Sequence, residues 1–417
     1  MYSIVSLREW KGNHLPFCRS AIMSFITYMN VFITFYNIDS DRNLFISSGF
    51  FFVRHLFEGI DLFFSQTATQ EDIKTSICDI NEKIDRIYCT INYSFEAKLM
   101  QDIVDDRWVV GGPEAIEIIR EGTSVLLSKG TVIGESFEEY HGLSPSTTFT
   151  YYFKDLVAEI NPRVVSYPCS IGSGCYWNKC SFCSFHKYSD SRGYYVKSNV
   201  TEIINNLLPL AVPSQVHTCI SSCSPQVLEQ ILAATVKDGI ILSEFIRADQ
   251  SILDLIHNSR QMSFKNHLAL LGIETLSQAL SDRLNKGASV ANYIRLVESI
   301  LSRGGYVALY VMTWLPFITE ESAQESMRNL KKIEKIAKKY PRERFSIINS
   351  GEVLWPTETI AKKMGSGLPT YKSFKHLYGV KIGSGSKIEE YNRKINQSLL
   401  NSSIPLKGDP ITLTYGS

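Results

Sequence analysis

Residues 163–186 read RVVSYPCSIGSGCYWNKCSFCSFH, a short apolar strand followed by a loop that carries Cys175, Cys180 and Cys183 in a Cys-x4-Cys-x2-Cys array. Three thiolates on one loop can converge on a single metal centre, and the gap between Cys180 and Cys183 has the tight spacing of iron–sulfur and zinc loops. The count of three is informative. A structural zinc is normally closed by four protein ligands, whereas three cysteines on a [4Fe-4S] cluster leave one iron open. The rival closure recruits His186 and gives a structural zinc without catalysis. Spacing alone leaves both open. Position favours the cluster, because a loop after a barrel's first strand lies where such folds keep a reactive centre.

Downstream, strands expected at Arg163–Tyr167, Val216–Ile220, Glu244–Arg247, His267–Gly272, Tyr306–Thr313 and Arg344–Ile348 alternate with helices at Val200–Leu208, Pro225–Lys237, Ile252–His257, Val290–Arg303 and Ser322–Lys339. Six such units match a partial (βα)6 barrel of the TIM type. Upstream, strands at Tyr2–Leu7, Val31–Tyr36, Asp61–Ser65, Arg86–Tyr93 and Arg107–Val110 alternate with helices at Arg19–Met29, Gln70–Glu82 and Phe95–Val104. That pattern is α/β, a doubly wound, Rossmann-like parallel sheet with its ligand edge near Gly111 and Gly112. The expected organisation is a Rossmann-like domain over 1–142, a linker over 143–162, the barrel over 163–348 and a small polar cap or extension over 349–417.

The 417 residues are 44% apolar and 20% charged, which excludes disorder and a fibre. A net charge of +1 gives no field to gather nucleic acid or an anionic membrane. The nine cysteines, an odd number with none after Cys223, fit reduced thiols in a cytoplasmic protein better than a disulfide framework. The start lacks the order of a secretory signal. Ser20 to Ile38 carries no charge, but its Ser, Thr, Tyr and Asn content reads as a buried helix running into a buried strand, not a membrane span.

The cysteine loop, with LLGIETLSQALSDRLNKGAS (270–289) and the helix–strand stretch to Thr319, resembles the radical S-adenosylmethionine superfamily, in particular members with an N-terminal cobalamin-binding-type domain. The usual array of that group has three residues in its first gap; this one has four, a bulge that a loop can absorb. The resemblance implies that Cys175, Cys180 and Cys183 ligate one [4Fe-4S] cluster and that Phe182 lies against the adenine of S-adenosylmethionine. It places Arg247 near the cofactor's carboxylate and Glu274 at the open barrel mouth; the plainer reading of both is an ion pair at the barrel lip. Gly272 serves close backbone approach or merely ends its strand. The turn that relatives write Gly-x-Pro-Gly-x-Thr is here Trp314-Leu315-Pro316-Phe317-Ile318-Thr319, so Trp314 and Phe317 become substrate-packing residues or plain core. Cys169, Cys219 and Cys223 read as buried small residues, with Cys223 close enough to the mouth to contact substrate.

VVGGPEA (109–115) and VIGESFEEY (132–140) resemble the last strands of the cobalamin-type domain. The Asp-x-His-x-x-Gly signature of a lower histidine ligand is absent, and neither His14 nor His55 has the right neighbours, so a corrinoid binds without histidine or the domain is a packing relic. The implied reaction is reductive cleavage of S-adenosylmethionine to a 5′-deoxyadenosyl radical, which abstracts hydrogen from a peptide or natural-product substrate in a tailoring step. An external one-electron donor of flavodoxin or ferredoxin type is implied. The alternative is a cobalamin-dependent C-methyltransferase; the rival from another class is a zinc-stabilised, non-catalytic binding module.

Overall fold

The computed structural model describes residues 28–38, 42–46, 59–65, 67–80, 83–91, 94–112, 115, 118–119, 122, 126–133, 140–141, 154–169, 171–180, 194–218, 220–259, 263–312, 315, 318–349 and 387–408. These fall into two compact units, one within 1–168 with 210–214, the other within 169–209 and 215–413. The expected strand Tyr2–Leu7 and residues 19–27 of the expected helix Arg19–Met29 lie outside the described residues, and Tyr28 and Met29 are strand, not helix.

The first unit contains β1 (Tyr28–Ile38), β2 (Asn43–Ile46), β3 (Gly59–Ser65), β4 (Lys83–Thr90), β5 (Trp108–Gly111), β6 (Thr131–Val132) and β7 (Val164–Pro168), with helices α1 (Gln70–Cys78), α2 (Ser94–Met100), α3 (Leu126–Lys129) and α4 (Lys154–Ile160). β1 pairs in parallel with β3 and β4, β4 with β5 and β5 with β6. Alternate side chains of β1 (Val31, Ile33 and Phe35) enter one core with Ile87, Cys89, Trp108 and Val110 of its neighbours and with Ile73 and Met100 from α1 and α2. On the opposite face Phe32 stacks on Tyr88 at 5.4 Å. Burial on both faces explains why β1 is apolar without alternation. The uncharged stretch thus ends in an inner strand, and among the described residues no helix is long and apolar enough to cross a membrane. β2 runs antiparallel to the end of β1 and parallel to β7. The strand expected to open the barrel is therefore compact with the first unit.

In the second unit β8 (Gly172–Ser173) and β9 (Tyr195–Val196) form an antiparallel ribbon. The main sheet there holds β10 (Ser214–His217), β11 (Ile240–Phe245), β12 (His267–Glu274), β13 (Tyr306–Val311), β14 (Phe345–Asn349) and β15 (Leu406–Gly408) in chain order, and every pair from β11 to β15 is parallel. Between the strands come α5 (Val200–Asn205), α6 (Pro225–Ala233), α7 (Gln250–Asn258), α8 (Gln278–Arg283), α9 (Val290–Ser302) and α10 (Glu320–Ala337), and α11 (Lys387–Leu400) precedes β15. The helices have sequence causes. Ser224 caps α6 with Pro225 in its first turn, and α9 starts at Ser289, whose hydroxyl accepts from Asn292 N–H at 3.0 Å. Val290, Tyr293, Leu296, Val297, Ile300 and Leu301 give α9 a buried stripe at helical spacing. The C-terminal extension is tied in: Asn392 accepts from Leu315 N–H at 2.9 Å and donates to Leu315 O at 3.1 Å.

Candidate functional site

The cysteine loop leaves the β8 strand through Gly174 and is stitched to the ends of the parallel strands. Gly174 O accepts from Ser221 N–H at 3.0 Å, and Cys175 makes a single parallel bridge with Ser222, just past β10. Cys223 bridges Ile246, just past β11, in the same way. Cys175 therefore sits at the carboxyl ends of the strands, the end that carries chemistry in βα barrels. Cys175 and Cys180 are both half-buried, unpaired thiols.

Four charged side chains gather beside them. Arg247, 4% exposed, donates through Nε and Nη2 to the Asp249 carboxylate at 3.3 and 3.2 Å and through Nη2 to the carbonyl of Lys286 at 2.5 Å. Its guanidinium carbon lies 4.5 Å from the centre of the Trp177 ring and 5.9 Å from that of Tyr176. Lys286 Nζ meets Glu274 Oε1 at 3.0 Å. Glu274 has a left-handed backbone, φ +63°, at an irregularity where β12 slips against β13. Burial pushes the Cys180 thiol up; Lys286 and Arg247 draw it back without reversing the shift, and Glu274 and Cys175 add to it. Burial works against the charge of Lys286, yet Glu274, Tyr293 and Cys180 outweigh it and raise that ammonium above its ordinary range. The Asp249 carboxyl is pushed up by burial to about 6 against the pull of Lys286. Tyr293, 1% exposed, aligns with this cluster, and its hydroxyl has no partner among the described residues.

No family model matches the sequence, and no curated protein matches it. Among solved structures, the cobalamin-dependent S-adenosylmethionine radical enzyme OxsB, with aqua-cobalamin and S-adenosylmethionine bound, superposes over 84% of this chain with a TM-score of 0.51 and 12% identity. This chain shares its fold with that enzyme. The chain spans 58% of the length of OxsB. It also aligns with the radical S-adenosylmethionine methyltransferase TsrM from Kitasatospora setae, over 78% of this chain and 72% of that one, at 11% identity and a TM-score of 0.47.

The chemistry of the described donors suits an iron–sulfur cluster. Two soft thiols stand on one loop within electrostatic reach of each other, and the cations Lys286 and Arg247 act electrostatically on Cys180, surroundings that favour an anionic centre. Cys183 and Phe182 lie outside the described residues, as do His186, Trp314, Phe317 and Cys219. Arg247, Gly272 and Glu274 do come together, but around Lys286. A Cβ on Gly272 would fall 2.6 Å from Glu274 Oε1 and 3.3 Å from Lys286 Nζ, so this glycine makes room for the ion pair. Cys223 has no exposed surface, and burial pushes its thiol well up. Sequence reading missed Lys286, Asp249 and Trp177. A signal existed for the first, since Asn285-Lys286-Gly287 has the left-handed residues that end a helix. In the first unit the one histidine among the described residues, His141, shares a 3.1 Å hydrogen bond between Nε2 and the Tyr88 hydroxyl.

Proposed function

We propose that this chain is a radical S-adenosylmethionine enzyme whose single [4Fe-4S] cluster is held by Cys175, Cys180 and Cys183. The observation that carries the reading is the placement of Cys175 and Cys180 at the strand ends, beside Arg247 and Lys286, on this fold. When bound, a cluster with one open iron supplies the electron that cleaves S-adenosylmethionine reductively to a 5′-deoxyadenosyl radical. The chain's own share is electrostatic and steric. Lys286 and Arg247 set positive charge against Cys180, Glu274 and Asp249 balance it, and the Tyr176 and Trp177 rings cover the guanidinium. Balanced buried charge of this kind fixes a site before its ligand arrives.

The hydrogen is taken from a peptide or natural-product scaffold in a tailoring reaction, with a flavodoxin- or ferredoxin-type protein as electron donor. Methyl transfer through cobalamin is the second reading. The superposition on OxsB favours it, while His141, tied to Tyr88, gives it no support, and no step is derived through a corrinoid.

Anaerobic purification tests the proposal. The expected result is brown protein with iron and sulfide near about four each per chain and a spectrum that changes on adding S-adenosylmethionine. Colourless protein carrying a single zinc would establish the rival binding module. Soaking with hydroxocobalamin and finding corrinoid absorbance after desalting would turn the reading toward methyl transfer.

A further inference from the structure

The loop between the first two cysteines holds one residue more than the usual array, and the structure shows where the extra length goes. Tyr176, Trp177, Asn178 and Lys179 separate Cys175 from Cys180, and Asn178 turns the chain through a left-handed conformation at φ +47°. The loop then docks on a turn more than a hundred residues further along. Trp177 Nε1–H donates to Asn285 O at 3.1 Å, and Asn285 Nδ2–H donates to Lys179 O, next to Cys180, at 2.7 Å. The turn is itself anchored. Asn285 N–H donates to Asp282 O at 3.0 Å and Lys286 N–H to Ser281 O at 3.1 Å, closing the end of α8. Gly287, at φ +76°, approaches the indole so closely that a Cβ would lie 2.0 Å from Trp177 Cζ2. Arg247 joins both parts, because its guanidinium stacks over Trp177 while its Nη2 holds the carbonyl of Lys286.

We infer that the Asn285–Lys286–Gly287 turn is a clamp on the cysteine loop, and that Trp177 and Asn285 are positioning residues that fix where Cys180 sits. Two reciprocal hydrogen bonds, one on each side of Asn178, restrain both the turn of the loop and its exit toward the thiol. The fourth residue of the gap is therefore an anchor and not slack. Arg247 joins the same brace, since its Nη2 holds the Lys286 carbonyl while its guanidinium lies over Trp177. The significance of the clamp for catalysis rests on the reading of Cys175, Cys180 and Cys183 as cluster ligands; its existence as a restraint on Cys180 does not.

The test uses the full chain and two variants. Asn285→Asp removes the Nδ2 donor at constant volume, and Trp177→Phe removes the indole donor while keeping a ring over Arg247. The first readout is the alkylation rate of Cys180 in cluster-free protein, followed by mass spectrometry, with fully buried Cys223 as internal reference. Each variant should speed Cys180 alkylation about fivefold, the weight of one ordinary hydrogen bond, with Cys223 unreactive. The double variant should exceed either single one by less than the product of the two effects, because both bonds secure the same turn. If one variant opens the whole unit, Cys223 reacts too, and the other variant carries the test. The second readout is the rate of iron loss to a chelator from reconstituted protein, expected to rise in the same order. Wild-type alkylation rates in both variants overturn the clamp even where the chain holds its iron. A chain that takes up no iron overturns the proposed function and leaves the thiol measurement to judge the clamp.

Discussion

Lys286 Nζ lies 3.0 Å from Glu274 Oε1, with the two side chains only 9% and 13% exposed. Twelve residues separate them along the chain, yet the pair stands over Gly272 and within electrostatic reach of Cys180. Removing one member of such a pair leaves a buried charge without compensation. Lys286→Met should therefore lower the unfolding free energy in urea by about 3 kcal/mol, and adding Glu274→Gln should restore more than half of the loss. An unchanged midpoint in Lys286→Met would mean that Glu274 is solvated and that the pair contributes nothing.

This pair also shows how far the sequence could be read. Glu274 and Arg247 were expected as site residues or as partners in a lip ion pair, and both are in the cluster, Glu274 as the last residue of β12 and Arg247 two residues past β11. Their partners were not foreseen. Glu274 pairs with Lys286 and Arg247 with Asp249, and the first of these depends on how α8 and its terminal turn fold back, a tertiary fact without period or motif. The strands β12 to β14 were legible because they are apolar and bounded by helical patterns, whereas β11, expected at Glu244–Arg247, runs over Ile240–Phe245. β2 was not, since four residues that reverse direction against β1 carry too little pattern, and neither were α8, α11 and β15, which rely on contacts made elsewhere. The cysteines were read from their spacing and their position after a strand; what holds their loop could be read only from the structure.

Cysteine substitutions separate ligands from packing. Cys180→Ala should abolish iron retention after anaerobic reconstitution, because it deletes a half-buried thiol on which Lys286 and Arg247 act electrostatically. Cys169→Ala should keep its iron. Cys169 is fully buried and its N–H donates to His217 O at 2.5 Å, so alanine preserves the backbone bond and leaves only a small cavity, costing about 1 kcal/mol. Iron per chain in the two variants decides it, and equal losses would displace Cys180 from the ligand set.

Gly287→Ala carries two penalties that can be told apart. The left-handed backbone at φ +76° costs an L-residue about 1 kcal/mol, and the new methyl collides with Trp177 at 2.0 Å. The single variant should lose more than about 2 kcal/mol in urea unfolding. Combining it with Trp177→Ala should relieve the collision but leave the backbone penalty, so that Gly287→Ala costs less in the Trp177→Ala background than in wild type. Equal costs in the two backgrounds would show that the indole does not rest on this turn.

His217 provides the pH dependence. Gln215 Nε2 lies 3.3 Å from His217 Nε2, Nδ1 bonds the Ser243 hydroxyl, and that hydroxyl donates to Val216 O at 3.3 Å. Read in sequence, the donors require a neutral imidazole with its proton on Nδ1. Burial accordingly pushes His217 from an ordinary 6.5 to about 3. Below 6.5 the unfolded chain takes up a proton that the folded chain refuses, so the contribution is complete above that pH and is lost progressively as pH falls toward 3. Between about pH 7 and pH 5 the wild type should lose about 2 kcal/mol more unfolding free energy than His217→Gln, whose carboxylates titrate alike but whose amide does not. Urea titrations of both proteins at the two pH values measure the difference. Parallel losses would place the proton on His217 in the folded state and break the donor chain through Ser243.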